Sequence, residues 1–171
     1  MINGPVQPTE NAVILSAINL VKTFHKADNT IDVLKGVSLD IRVGDHISIV
    51  GQSGSGKSTF LQLLGILDAP TTGVLKIFDP SVERDGLIDP FAQPPAVIDS
   101  IRNLLVGFVF QFHHLLPDHT ALRNVMMPLM IRGESTLSAQ QQAAEILSRV
   151  GLGQRLHHRP GELSGGEQQR V

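Results

Sequence analysis

Gly51-Gln52-Ser53-Gly54-Ser55-Gly56-Lys57-Ser58-Thr59 is the stretch on which the reading of this 171-residue chain turns. It fits the pattern G-x-x-x-x-G-K-[ST], and each position has a chemical reason. Glycines let backbone N–H groups curl around a phosphate without Cβ clashes, and a helix opening behind them adds partial positive charge. In such a loop Lys57 reaches the β- and γ-phosphates of a nucleoside triphosphate, and the Ser58 hydroxyl ligates Mg2+. A Gly/Ser-rich connector that happens to hold a lysine would have the same composition, so the flanks decide. Upstream, His46 to Val50 is a short apolar run. Periodicity alone allows strand or helix there, and the glycine cluster behind it argues for a strand. Downstream, Phe60, Leu63, Leu64 and Leu67 fall at i, i+3, i+4 and i+7, one apolar face of a helix opening near Lys57. Strand, glycine loop and helix in that order are the context that confirms a phosphate loop.

Working outward, Val13 to Phe24 reads as a strand, and Val37, Leu39 and Ile41 alternate as a half-buried strand should. Gly44-Asp45 is a turn, and residues 1–12, with two prolines, read as a flexible leader. Val74 to Phe78 and Val106 to Phe110 are further strand candidates. Residues 79–97 between them hold Pro80, Pro90, Pro94 and Pro95, a loop whose conformation the sequence leaves open. After Gln111 the pattern is helical. Thr120 is placed to cap a helix with the face Leu122, Val125, Met126 and Leu129, which Pro128 is expected to kink or end. Ser138 with Gln141 reads as a capping box, followed by the stripe Ala143, Ile146, Leu147 and Val150 and closed by Gly151. The economical reading is an α/β domain with a helical insertion.

Composition narrows the function classes. Fourteen basic against sixteen acidic residues give a net charge of −2, so no basic field is available to recruit nucleic acid. The absence of cysteine removes disulfides and thiolate metal sites and is compatible with the cytosol. No apolar run is long enough to span a bilayer and no signal-peptide pattern opens the chain, so a membrane role would pass through a partner. The pairs His113-His114 and His157-His158 are sequence neighbours whose side chains diverge, a poor geometry for one ion. Asp79, Glu83, Asp85 and Asp89 miss the calcium-loop spacing and read as a solvated loop.

Two more segments carry a family resemblance. Leu163-Ser164-Gly165-Gly166-Glu167-Gln168-Gln169-Arg170-Val171 resembles the signature motif of ATP-binding cassette (ABC) ATPases, and Val106-Gly107-Phe108-Val109-Phe110-Gln111 resembles the strand ending in that family's Q-loop glutamine. Order and separation fit too: phosphate loop, glutamine about sixty residues on, signature about fifty after that. The run Phe110 to Asp118, with Thr120-Ala121-Leu122, Asn124-Val125, Met127-Pro128-Leu129, His158-Arg159-Pro160 and Glu162, resembles the lipoprotein-releasing branch of Gram-negative inner membranes. Macrolide-export and cell-division ATPases have similar wording here and stand as the alternative.

The resemblance implies an α/β P-loop core with an antiparallel β subdomain over about 13–111, a helical subdomain over about 112–163 and the signature at 163–171. It implies ATP and Mg2+ as ligands, held by Gly51, Ser53, Gly54, Ser55, Gly56, Lys57, Ser58 and Thr59, with Phe24 stacking on adenine. Phe24 as a core residue at a strand end is the competing reading. Ser58 and Gln111 would meet Mg2+, and Gln111 the attacking water; a solvated strand-end glutamine is the plain alternative. Ser164, Gly165 and Gly166 would close over the γ-phosphate held by a second subunit in a head-to-tail dimer. Transmembrane permease subunits would be the other partners, which places the ATPase peripherally on the cytoplasmic face of the inner membrane. The family's catalytic Glu, Mg2+-binding Asp and switch His follow the signature, and no residue of this chain stands in those places. The 171 residues by themselves are therefore expected not to turn over ATP, either as part of a longer transporter ATPase or as a non-hydrolysing binding and dimerisation module.

Overall fold

The computed structural model describes residues 8–26, 29–82 and 86–171. The chain divides into two compact units, one ending at Gly107 and the other running from Phe108 to Val171. Two long strands open the first unit, β1 (Val13–Lys26) and β2 (Asn29–Arg42), and pair antiparallel as a hairpin. Val37, Leu39 and Ile41 alternate half-buried with exposed neighbours, as expected of a strand with one face on a core. β3 (Thr72–Phe78) lies against the other side of β1, and the short β4 (Leu87–Ile88) against β3, giving the antiparallel order β2-β1-β3-β4.

Helix α1 (Lys57–Leu64) begins inside the phosphate loop and buries Phe60, Leu63 and Leu64. It stops earlier than the apolar spacing predicts. Gly65 ends it, Ile66 turns with φ 59° and takes the buried place at 2% exposure, and Leu67 is left 43% exposed. The loop left open by the sequence holds a 3-10 turn at Pro90–Ala92, capped by the Asp89 carboxylate accepting from the Phe91 N–H at 2.9 Å, and then α2 (Pro95–Leu105). Pro95 stands at the first helical position, where its missing N–H has no helical partner to lose. Ile101 is buried, Ile98 and Leu105 pack on the same core, and the Arg102 guanidinium donates to the Ile66 carbonyl at 3.1 Å.

The two expected strands His46–Val50 and Val106–Phe110 are not formed among the described residues. A strand of a parallel sheet takes every ladder bond from neighbouring strands, and here neither segment has a paired neighbour. Ile49 and Val106 still pack partly on the core of the first unit, but Val50 is 86% exposed and Val109 fully so.

In the second unit, α3 (Ala121–Ile131) and α4 (Thr136–Arg149) pack on each other around Ala121, Met126, Ala139, Ala143 and Leu147, joined by Leu152 and Leu163. Thr120 caps α3 by accepting from the Arg123 N–H. Pro128 does not end the helix. It lies one turn from the C-terminus, so its ring removes a bond only where little helix remains to bend, and the Arg132 N–H still reaches the Pro128 carbonyl at 3.1 Å. The cap of α4 is Ser135, three residues ahead of the expected Ser138, whose hydroxyl donates to Glu134 instead. The buried stripe is correspondingly Ala139, Ala143 and Leu147, while Ile146 and Val150 face outward. Gly151, at φ 79°, closes the helix as expected. A 3-10 turn at Pro160–Glu162 leads into α5 (Gly165–Arg170). Among the described residues no helix is long and apolar enough to cross a membrane.

Candidate functional site

The phosphate loop runs from the exposed segment 46–50 into α1. Gly54 (φ 80°) and Gly56 (φ 90°) adopt the left-handed conformation, which costs a residue with a Cβ. At Gly56 there is a second requirement: an added Cβ would lie 3.0 Å from Leu34 Cδ2 and 3.1 Å from both Val33 Cγ1 and the Val33 carbonyl. At Gly51 an added Cβ would meet the Ser55 hydroxyl at 2.8 Å. The loop is thus drawn tightly onto itself and onto β2.

That contact with β2 has a cause the sequence does not display. Thr23 pairs with Asp32 and Lys22 with Leu34, so Val33 is an extra residue, a β-bulge. A bulge turns two successive side chains toward one side, and here Val33 and Leu34 both meet Gly56. Val33, Ser53, Gly54, Gly56, Lys57, Ser58 and Thr59 line a cavity of about 330 Å3. The Lys57 ammonium donates to the carbonyls of Gly51 at 2.9 Å and Gln52 at 2.6 Å, bridging the loop entrance. The first N–H groups of α1 have no partner within the helix, and no acidic residue lies in its first turn. Cavity, glycine cradle and ammonium together fit a polyphosphate. The Ser58 hydroxyl, on the same wall, is the oxygen type that suits Mg2+.

Phe24 is not a core residue. The residue is 42% exposed near the end of the β1–β2 hairpin, paired across the strands with Ile31, itself 54% exposed. The Lys22 ammonium lies over the ring at 5.1 Å from its centroid.

Gln111 belongs to the second unit, where it is exposed and follows a segment without ladder bonds rather than a strand. Around it Phe108 and Phe110 stack at 5.3 Å, and His114, at φ 48°, meets Phe110 edge-on at 5.2 Å. Ser164 is the N-cap of α5. Its hydroxyl and backbone N–H both donate to Glu167 Oε2 at 2.8 Å, and the Glu167 N–H donates back to the hydroxyl at 3.3 Å, a complete capping box. Arg155 Nε binds the other oxygen of Glu167 at 3.0 Å. The Ser164 N–H, then the Arg155 guanidinium and the Ser164 hydroxyl, hold the Glu167 carboxyl down from 4.5 to about 2. The N–H groups of Gly165 and Gly166 begin the helix, so no helical carbonyl precedes them. An added Cβ at Gly165 would meet nothing within 4 Å.

No cluster of three metal-ligating side chains occurs among the described residues. Glu83 and Asp85, weighed with the acidic loop, lie outside those residues. Of the site residues expected from sequence, the first unit brings together Gly51 through Thr59 and holds Phe24 on the adjoining hairpin. Gln111 and the signature residues belong to the second unit.

Comparison with known proteins adds a third line. The family description "ABC transporter" matches residues 34–171. The lipoprotein-releasing system ATP-binding protein LolD of Geobacter metallireducens is 49% identical over 158 residues, covering 92% of this chain and 67% of its own length. Its counterpart in Myxococcus xanthus is 51% identical with the same coverage, and that of Legionella pneumophila strain Paris 47% identical over 94% of this chain. Among solved structures, a dimeric post-hydrolysis state of the ATP-binding cassette MJ0796 bound to ADP and Pi superposes with a TM-score of 0.72 at 37% identity, over 92% of this chain and 66% of that one. The chain therefore spans about two thirds of the length of the relatives it matches.

Proposed function

The chain belongs to the ABC transporter family, and from that premise we propose that it is the ATP-binding subunit of a system that releases lipoproteins from the inner membrane. The observation that carries the ATP-binding half is the glycine cradle of residues 51–59, drawn onto the β2 bulge with Lys57 at its mouth. The transport half is supported by relatives at 45–51% identity whose names state lipoprotein release. The family hydrolyses ATP in step with transport. The same relatives favour this reading over macrolide export or cell division.

In this reading the loop N–H groups wrap the phosphates, and Lys57 leaves the carbonyls of Gly51 and Gln52 to pair with the β- and γ-phosphates. Phe24 offers a planar apolar face to adenine, a contact worth roughly 0.5–1.5 kcal/mol. Bound Mg2+ would supply charge neutralisation on the phosphates, with the Ser58 hydroxyl as its partner in the loop. Ser164, Gly165 and Gly166 act on the nucleotide of a second subunit, in a head-to-tail dimer supported by the dimeric likeness. Permease subunits complete the assembly at the cytoplasmic face of the membrane.

Lys57→Ala tests the site. Charge-assisted contacts to phosphate are worth roughly 1.5–3 kcal/mol, so ATP affinity should fall at least about tenfold while the far-ultraviolet circular dichroism stays unchanged. An unchanged titration would show that the loop is not where ATP binds.

A further inference from the structure

The ammonium of Lys22 makes three contacts at once. It donates to Asp68 Oδ1 at 2.7 Å and to the Ala69 carbonyl at 2.7 Å, and it lies over the Phe24 ring, 5.1 Å from the centroid. Its side chain is only 13% exposed, against 42% for Phe24 as a whole. A lysine so deeply set has given up most of its water, and such ammoniums persist where fixed partners replace it. Lys22 and Phe24 are two apart on β1 and share a face. An aromatic ring has two broad faces, and the cation takes one of them. The other remains for a planar ligand.

Asp68 and Ala69 belong to the turn that follows α1, the helix whose first residues are the phosphate loop. That turn is fixed at both ends. The Leu67 N–H returns to the Gln62 carbonyl at 2.8 Å, and the Asp68 carboxylate also accepts from the Ala69 N–H at 2.8 Å. Farther on, the Thr71 N–H donates to the Val21 carbonyl at 2.8 Å, and its hydroxyl accepts from the Thr23 N–H at 2.9 Å. An unbroken path thus leads from the loop, down an eight-residue helix of about 12 Å, through the turn to Lys22 and the ring.

We infer that Lys22 is a positioning residue for recognition of the base: it fixes the Phe24 ring from behind and ties it, through Asp68, to the far end of the phosphate-loop helix. This rests on the reading of Phe24 as the adenine platform. Lys22 touches neither base nor phosphate. It sets the spacing at which one rigid ligand can satisfy both.

Two probes separate this from a structural role, ATP and inorganic tripolyphosphate, each with Mg2+. Lys22→Met keeps most of the apolar stem and removes the charge. ATP affinity should fall roughly three- to tenfold, in the range of a partly desolvated cation–π contact, while tripolyphosphate affinity stays within about twofold. In a Phe24→Ala background the same substitution should have no further effect, since its path to the ligand is gone. Asp68→Ala leaves the cation but frees it, and should reproduce the pattern if Lys22→Met proves too unstable to titrate. Equal losses for both probes, no loss for ATP, or an undiminished loss in the Phe24→Ala background would overturn the inference. Failure of the underlying reading looks different: Phe24→Ala alone would leave the preference for ATP over tripolyphosphate untouched.

Discussion

At Ser164 two hydrogen-bond donors of one residue end on one carboxylate oxygen of Glu167. Before either can serve a phosphate, that oxygen must yield, as the Gly51 and Gln52 carbonyls must for Lys57. The proposed dimer makes the two separable. Ser164→Phe should leave ATP affinity at low protein concentration within about twofold, because each subunit's own phosphates are held by its own loop. ATP-dependent dimerisation at high concentration, followed by light scattering, should collapse, since the bulky ring blocks closure. Parallel loss of both would place Ser164 in its own subunit's pocket and sink the head-to-tail arrangement. Gly56 was legible because its type is dictated by geometry: it must be glycine for its φ and its neighbours. Val33 was not legible. Its role comes from a pairing offset between β1 and β2, and a bulge leaves no mark in the composition of either strand. Lys22 was hidden for a related reason, since Asp68 is 46 residues away along the chain.

Among the elements, those whose ends carry a specific chemistry were read well and those defined by partners were not. The caps Thr120 and Gly151 stand where a side-chain oxygen or a positive φ requires them, whereas the capping box of Ser164 with Glu167 emerged only from the structure. α4 shows the limit of that signal, because Ser135 and Ser138 both fit a cap and only packing of Ala139 and Ala143 selects the earlier one. α2 hid behind Pro94 and Pro95, residues that as readily mark a loop as a helix start. Helix α5 offers a test by pH. The folded carboxyl of Glu167 lies below its ordinary 4.5, at about 2, so its contribution to stability is full above 4.5 and is lost as pH falls toward 2. Glu167→Gln should therefore lower the urea midpoint by a constant amount above about pH 5.5, and the difference should shrink on acidification and vanish near the bottom of that range. A difference that is independent of pH would mean that the cap works by shape alone.

For the molecule as a whole, binding and turnover need not reside in the same residues. The resemblance places the general base and the Mg2+ carboxylate in a strand after the signature, apart from the loop that would hold the phosphates. Purified as 171 residues, the chain should bind ATP yet release phosphate far more slowly than about 1 s−1, the lower end for ordinary enzymes. A rate of that order would mean that another group polarises the water. The same division explains why the two core strands were misread: the apolar runs 46–50 and 106–110 have the composition of buried strands, but burial is conferred by a neighbour, not by composition. The run Phe108 to Phe112 takes this further. Five residues without charge or proline, three of them phenylalanine and one a fully exposed valine, have the make-up of segments that stack into cross-β fibres. In a tube of the pure polypeptide, shelf life is then a colloidal property. It shortens as the solution is concentrated, and it lengthens whenever something else occupies those side chains first.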